Sequence, residues 1–186
     1  LLKSMGKEVT TNDFLNFTSV LATALVENSE TVLRSQDVDR LLTERPEHER
    51  FIEETFDGIF FTPEDLRFLD GIWARLRRLR NPHKKALALS ALIRSCVKRQ
   101  PRGVFTVAGD PERCKDGRRD LQLSLREHFI EQVEVFNRGV FDNGRKNRAF
   151  RGDVFAIEPA GFDLVYMDPP YVPRADDNCY IKRYHF

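Results

Sequence analysis

Asp168-Pro169-Pro170-Tyr171 puts a carboxylate, two prolines and an aromatic ring in consecutive positions. These residue types suit the task of gripping a planar exocyclic amine. Such an amine is a poor nucleophile because its lone pair is shared with the ring. Acceptors around it, here the Asp168 carboxylate and the Pro169 carbonyl, take both N–H groups and favour a geometry that frees the lone pair. Pro169 and Pro170 stiffen the backbone. Tyr171 offers a face on which a base turned out of a duplex can stack. A strand-end turn in which Asp168 caps a backbone group and Tyr171 packs would use the same four residues, so the setting matters.

The elements around the motif must hold that carboxylate still. Residues 164–167 are all apolar and lie between Gly161 and the two prolines. This pattern predicts a strand covered on both faces, as in a parallel sheet, with Asp168 at its carboxyl end, where open α/β sheets bind ligands. Residues 152–157 predict a neighbouring strand, with Asp153 at its start or just ahead of it. At the other end of the chain, residues 1–5 read as a last helical turn stopped by Gly6. Residues 9–11 read as a short strand, with Asp13 at its end. A helix follows from Phe14 to about Asn28, its apolar positions Phe17, Val20, Leu21, Ala24 and Leu25 recurring at helical spacing. Asp13 is also placed to N-cap that helix.

Between these ends the pattern is helical and charged. Residues 29–58 are helical in parts, with Pro46 opening one segment. Thr62-Pro63 and Asn81-Pro82 each start a helix with a cap and a first-turn proline. Ser124 and Glu127 form a capping box ahead of a third. The stripes behind these caps place Trp73 and Cys96 in the core. Residues 103–107 are strand-like and residues 109–119 read as an exposed loop.

The net charge is only +1, but it is unevenly spread. Residues 27–65 hold twelve acids against four bases, whereas residues 71–109 hold ten Lys or Arg and no acid. A block of that kind can track phosphates, and Lys84, Lys85, Arg94, Lys98, Arg99 and Arg102 are its candidates. Solvated helix faces would carry the same residues. In the tail, Tyr180, Lys182 and Tyr184 interleave rings with cations, as suits an unstacked base and its phosphates.

Composition excludes several classes. The chain has 186 residues, enough for one domain or one core with a sizeable insertion. No apolar run approaches a membrane span and no signal peptide is visible. Cys96, Cys114 and Cys179 form no CxxC pair, and His48, His83, His128 and His185 are scattered, so neither a disulfide framework nor a metal site is expected. A cytoplasmic protein is the expectation.

An acid closing an early strand, a long helical and basic stretch, and Asp-Pro-Pro-Tyr after an apolar strand together resemble the Dam-like group of adenine-specific DNA methyltransferases. Asp13 and Asp168 are 155 positions apart, room for a target-recognition insert. The resemblance implies an α/β fold: an incomplete Rossmann-like sheet of the S-adenosylmethionine-dependent methyltransferases with a large, mostly helical insertion. Residues 1–28 and 149–186 would belong to the catalytic core and residues 29–148 to the insertion. It also implies S-adenosyl-L-methionine as cofactor, held by Asp13 on the ribose hydroxyls, Asp153 near the adenine ring, and Asp168. Double-stranded DNA would be the substrate, Asp168, Pro169, Pro170 and Tyr171 the catalytic group, and a cognate restriction endonuclease a partner. The family's aromatic-x-Gly-x-Gly cofactor loop occurs nowhere in this chain. The expectation is therefore an internal fragment, inactive alone and a poor binder of cofactor. A nucleic-acid-binding module without catalysis, or a methyltransferase acting on RNA or protein, remains the alternative.

Overall fold

The computed structural model describes residues 1–43, 49–100, 105, 117–158 and 160–168. Strand β1 (Thr10–Asp13) leads into helix α1 (Asn16–Ala22), which continues as a π-turn over Thr23–Glu27. Helices α2 (Ser35–Leu42), α3 (Phe51–Thr55), α4 (Pro63–Leu76), α5 (Pro82–Lys98), α6 (Arg119–Gln122) and α7 (Leu125–Arg138) follow. Strand β2 (Arg148–Arg151) and a 3-10 turn at Val154–Ala156 complete the order. Two compact units, Leu1–Val154 and Phe155–Phe186, divide the chain.

The long helices start where the local chemistry places them. Thr62 Oγ1 accepts from Asp65 N at 3.2 Å and Asn81 Oδ1 from Lys84 N at 2.9 Å. Glu127 N donates to Ser124 Oγ at 3.2 Å, while Ser124 N donates back to Glu127 Oε2 at 2.8 Å. Each bond satisfies a donor that the first helical turn leaves without a partner. Behind the caps, Leu66, Ile72 and Leu76 of α4, Leu87, Ala88 and Ala91 of α5, and Leu125 and Phe129 of α7 are fully buried in one core. Helix α5 packs against both α7 and α1, so this core continues from the helical layer to the segment after β1.

Trp73 lies outside that core, 43% exposed. Successive helical residues point about 100° apart, and Leu66, Leu69, Ile72 and Leu76 fill the inward stripe, which leaves the indole at its margin. Cys96 packs against the core as expected. Burial, and next the charge of Asp65, push its thiol up to about 12.

The amino-terminal residues form a 3-10 turn, Lys3–Met5, closed by Gly6 in the left-handed region at φ 74°. Lys3 is buried there. Its Nζ donates to Leu25 O at 3.2 Å and Asn28 O at 2.7 Å, and lies 4.7 Å from the Phe141 ring centroid. A cation at a helix's carboxyl end satisfies carbonyls that have no partner in the helix. Burial lowers the Lys3 pKa, with the charge of Asp142 opposing.

Strands β1 and β2 pair in parallel, with Thr10 opposite Arg148 and Asp13 opposite Arg151. The loop before β2 sets this register. Asn143 Nδ2 donates to Lys3 O at 3.0 Å and Lys7 O at 2.8 Å, and Val9 N donates to Asn147 Oδ1 at 3.0 Å across 138 positions. On its other edge, β2 meets a side chain: Ala149 N donates to Glu27 Oε2 at 3.0 Å. Alternate N–H groups of a strand point to opposite sides. Arg148 N is bonded to Val9 O on the β1 side, so Glu27 covers the outer side, a common way to blunt an edge strand.

Two strand expectations are corrected. The strand predicted at residues 152–157 lies earlier, at Arg148–Arg151, and Val154–Ala156 is a 3-10 turn. The paired residues are polar and largely exposed, so no apolar run announced them. The interior strand predicted at residues 164–167 is not formed: these residues carry no strand assignment and are 55–83% exposed. An interior strand needs a hydrogen-bonded neighbour on each side and a layer on each face. Among the described residues the only sheet is β1 with β2.

Candidate cofactor and methyl-transfer site

The parallel pairing brings two distant pieces of chain to one end of a sheet. Gly152 N donates to Asp13 O at 3.2 Å, which extends the ladder one residue past β2. Asn12 Nδ2 donates to Gly152 O at 3.1 Å, fixing the backbone that delivers Asp153. Asp13 ends β1 and Asp153 comes two residues after β2, so both lie at the carboxyl end of the parallel pair, Asp13 half-buried and Asp153 exposed.

Asp13 also shapes the turn that follows. Its Oδ1 accepts from Leu15 N at 2.8 Å, an Asx-type contact that leads the chain into α1. The capping role expected of Asp13 is corrected: the N-cap of α1 is Leu15, with no side-chain cap bond, and Asp13 shapes the turn ahead of the helix. Its Oδ2 accepts no hydrogen bond among the described residues. An ionised carboxylate has about four acceptor sites, so a hydroxyl donor can be taken without undoing the turn. Asn12 and Glu27 are the residues here that sequence reasoning missed. The sites that Asn12 and Glu27 contact on the β2 side lie 140 and 122 positions away, and no local pattern signals them.

Asp168 is exposed in the second unit, at the end of the exposed residues 164–167. Pro169, Pro170 and Tyr171 lie outside the described residues, as do Arg102, Tyr180, Lys182 and Tyr184.

Among the basic candidates, three are engaged inside the first unit. Lys84 Nζ donates to both oxygens of Asp37 on α2, at 2.8 and 2.7 Å. Lys98 Nζ donates to Asp120 on α6 at 2.9 Å. Arg99 Nε donates to the buried Asp65 at 2.9 Å, and its Nη1 to Leu121 O at 2.6 Å. The block that lacks acids in sequence thus meets acids from α2, α4 and α6 in space. Lys85, half-buried, and Arg94, exposed, have no ion pair among the described residues.

Among the described residues, no group of three or more His, Cys, Asp or Glu side chains is arranged to hold a metal ion, and no helix is long and apolar enough to cross a membrane.

No solved structure matches the chain. The chain is 33% identical over 181 residues to the Type II methyltransferase M2.HphI of Haemophilus parahaemolyticus, covering 91% of this chain and 54% of that protein. It thus spans about half the length of this curated relative. A family model, that of the D12 class N6 adenine-specific DNA methyltransferases, matches residues 1–185. A match of that extent, together with the acid-bearing strand pair and Asp168-Pro169-Pro170-Tyr171, shows that the chain belongs to the D12 class of N6 adenine-specific DNA methyltransferases.

Proposed function

We propose that this chain supplies the acid-bearing strand pair, the helical region and the catalytic tip of an enzyme that methylates the exocyclic amine of adenine in duplex DNA, with S-adenosyl-L-methionine as donor. The observation that carries the proposal is the parallel pairing of β1 with β2, which sets Asp13 and Asp153 at one sheet end. In the doubly wound strand order 3-2-1-4, the second strand carries the ribose-binding acid and lies beside the third, which is the edge. Strand β1 with Asp13 fits the second position, and β2, its outer N–H covered by Glu27, fits the third.

The donor set fits the cofactor. Asp13 Oδ2 is open to a ribose hydroxyl while Oδ1 holds the turn, and Asp153 follows at the same end. Bound there, S-adenosyl-L-methionine would supply a methyl group activated by a sulfonium. The chain's own residues hold the acceptor. The Asp168 carboxylate and the Pro169 carbonyl take the two amine protons in hydrogen bonds, which turns the nitrogen lone pair out of conjugation. Pro169 and Pro170 keep these acceptors from drifting, and Tyr171 stacks on the extruded base. Residues 29–148 form the target-recognition region, and a cognate restriction endonuclease is the expected partner in the cell.

The test is Asp168→Ala in the natural enzyme, read as transfer of labelled methyl to a duplex. Methylation is lost while duplex affinity stays within a few-fold; unchanged turnover refutes the role. Digestion of host DNA by methylation-sensitive nucleases, with and without the gene, reports whether adenine is the acceptor.

A further inference from the structure

We propose that the cleft between α3 and the end of α4 is a DNA-contact surface, taking backbone phosphates on Arg77 and Arg78 and the face of an unstacked base or a sugar on Trp73 and Phe51. The inference rests on the reading that DNA is the substrate, and it assigns DNA contacts to residues outside the basic candidates considered above.

The cleft has a volume of about 780 Å³, and its walls include Glu49, Phe51, Asp70, Trp73, Arg77 and Arg78. Phe51 is 67% and Trp73 43% exposed. They are two of several exposed aromatics in the chain, and these two share one cleft with two arginines. Their position is fixed. The buried Asp70 accepts from Ile52 N at 2.8 Å and from Glu53 N at 2.9 Å, which docks the first turn of α3 onto α4. Trp73 follows Asp70 by three positions, on the same helical face. The platform is therefore held by backbone contacts and does not depend on its own rings.

The walls carry two acids and two bases, but with Asp70 buried the exposed charge leans positive, Arg77 and Arg78 against Glu49. Asp70 is buried, and each of its carboxylate oxygens accepts one backbone N–H. Glu49 lies 3.9 Å from Arg77 and is 85% exposed, a contact of little strength in water. Arg78, and Arg80 two positions on, are exposed and form no ion pair among the described residues. Guanidinium groups beside exposed aromatic faces match a nucleic acid strand, whose phosphates they pair and whose bases and sugars stack. Cations after the last turn of a helix also offset its dipole, an effect of a few tenths to about 1 kcal/mol on stability. That role predicts a lower melting temperature in their absence and no change in DNA affinity.

The chain contains a single tryptophan, so its emission reports this cleft alone. Titrating the protein with a duplex oligonucleotide should quench Trp73 saturably, with a midpoint that weakens as salt rises. Each phosphate contact contributes about 0.9 to the slope of log affinity against log salt. The double variant R77A/R78A should lower the slope by about 1.8, so that between 50 and 200 mM salt the unaltered protein loses about 12-fold more affinity than the variant. Trp73→Ala, followed by anisotropy of a labelled duplex, should weaken binding about 5- to 160-fold at fixed salt, the range of one base–aromatic stack. Both sites are exposed, so thermal melts within a few degrees of the parent are expected and confirm folding.

Three results overturn the proposal: anisotropy showing binding while Trp73 emission stays constant, an unchanged slope in R77A/R78A, or emission that shifts with protein concentration alone, which would mark the cleft as covered by a second copy. Its failure is separable from that of the enzymatic reading. Adenine methylation by the natural enzyme with a silent Trp73 discards this surface only. A responsive Trp73 in this chain, beside a natural enzyme that does not methylate adenine, discards the enzymatic reading only.

Discussion

Asp65 and Arg99 offer the sharpest test of whether a cation in the acid-free block serves the fold or the ligand. Their side chains are 4% and 16% exposed, and Arg99 Nε meets Asp65 Oδ2 at 2.9 Å. The other oxygen, Asp65 Oδ1, accepts from Leu125 N at 3.2 Å at the start of α7, while Arg99 Nη1 donates to Leu121 O at 2.6 Å. The pair therefore ties α4, α5, α6 and α7 at one point. Removing one member of a buried pair costs about 3–5 kcal/mol, because the other charge is left without compensation. In urea, with a denaturant slope of about 2 kcal/mol per molar, Arg99→Ala should lower the unfolding midpoint by about 1.5–2.5 M. Removing both members together leaves no orphan charge, so the double alanine variant should cost less than the sum of the singles. A coupling of about 2–3 kcal/mol is expected. Asp65→Asn keeps a neutral acceptor for Leu125 N and for Arg99, so it should cost about 1.5–3 kcal/mol, less than Asp65→Ala. Far-UV circular dichroism follows the unfolding. An Arg99→Ala midpoint equivalent to less than 1 kcal/mol, or a lower salt slope of DNA binding in that variant, would refute the assignment of Arg99 to the core.

Three further outcomes follow from the same contacts. Burial raises the Asp37 carboxyl, but the hydrogen bond from Lys84, then the one from the Arg34 backbone, outweigh it and hold the carboxyl below the usual range. A carboxylate depressed on folding stabilises above its unfolded pKa of about 4 and loses that contribution as pH falls through its folded value. Asp37→Asn should therefore destabilise by about 1–2 kcal/mol at neutral pH and flatten part of the loss seen in melts taken from pH 5 to 2; a parallel pair of profiles would count against it. Asp13→Asn keeps the Leu15 N–H contact and removes the charge. Cofactor affinity in the natural enzyme should fall about 10- to 100-fold by calorimetry, as for one charged hydrogen bond, and affinity within two-fold would discard the ribose role. The Cys96 thiol, pushed up to about 12, should resist maleimide at pH 8 until urea is added. Mass spectrometry locates the label, and modification at the rate of a free thiol would contradict its burial.

What was legible in the sequence was local. Thr62, Asn81 and Ser124 each bond a group three positions away, so the starts of α4, α5 and α7 could be read from short spacings, and the stripes behind them from their period. Asp13 was expected as the cap of α1; its partner, Leu15, is indeed local, but the contact turns the chain ahead of the helix and Leu15 is the N-cap. The strand pair was half legible. β1 was expected almost where it lies, but β2 is placed by Asn147 and Asn143, whose partners Val9 and Lys7 adjoin β1 in sequence and meet the loop before β2 only in space. An apolar run such as residues 164–167 reveals a demand for cover without naming what supplies it. The inward strand expected there was a statement about neighbours, and among the described residues those neighbours are absent.

The basic block shows why charge along a chain differs from charge across a surface. Residues 71–109 contain no acid, which reads as one cationic face. Helical geometry splits it. Lys84, Lys98 and Arg99 lie along α5 or at its end and meet Asp37, Asp120 and Asp65, so their charges are neutralised inside the unit. Arg75 is drawn in as well, its Nε donating to Leu41 O. Arg77, Arg78 and Arg80 follow the last turn of α4, where the chain leaves the core, and they face water. Sequence separation decides which set a scan can find: the inward pairs span 22–47 positions and escape any local window. A count of cations therefore overstates the field available to DNA. Pairing each one with its acid in space leaves the stretch that also carries Trp73 as the part of the block where positive charge and an exposed ring coincide.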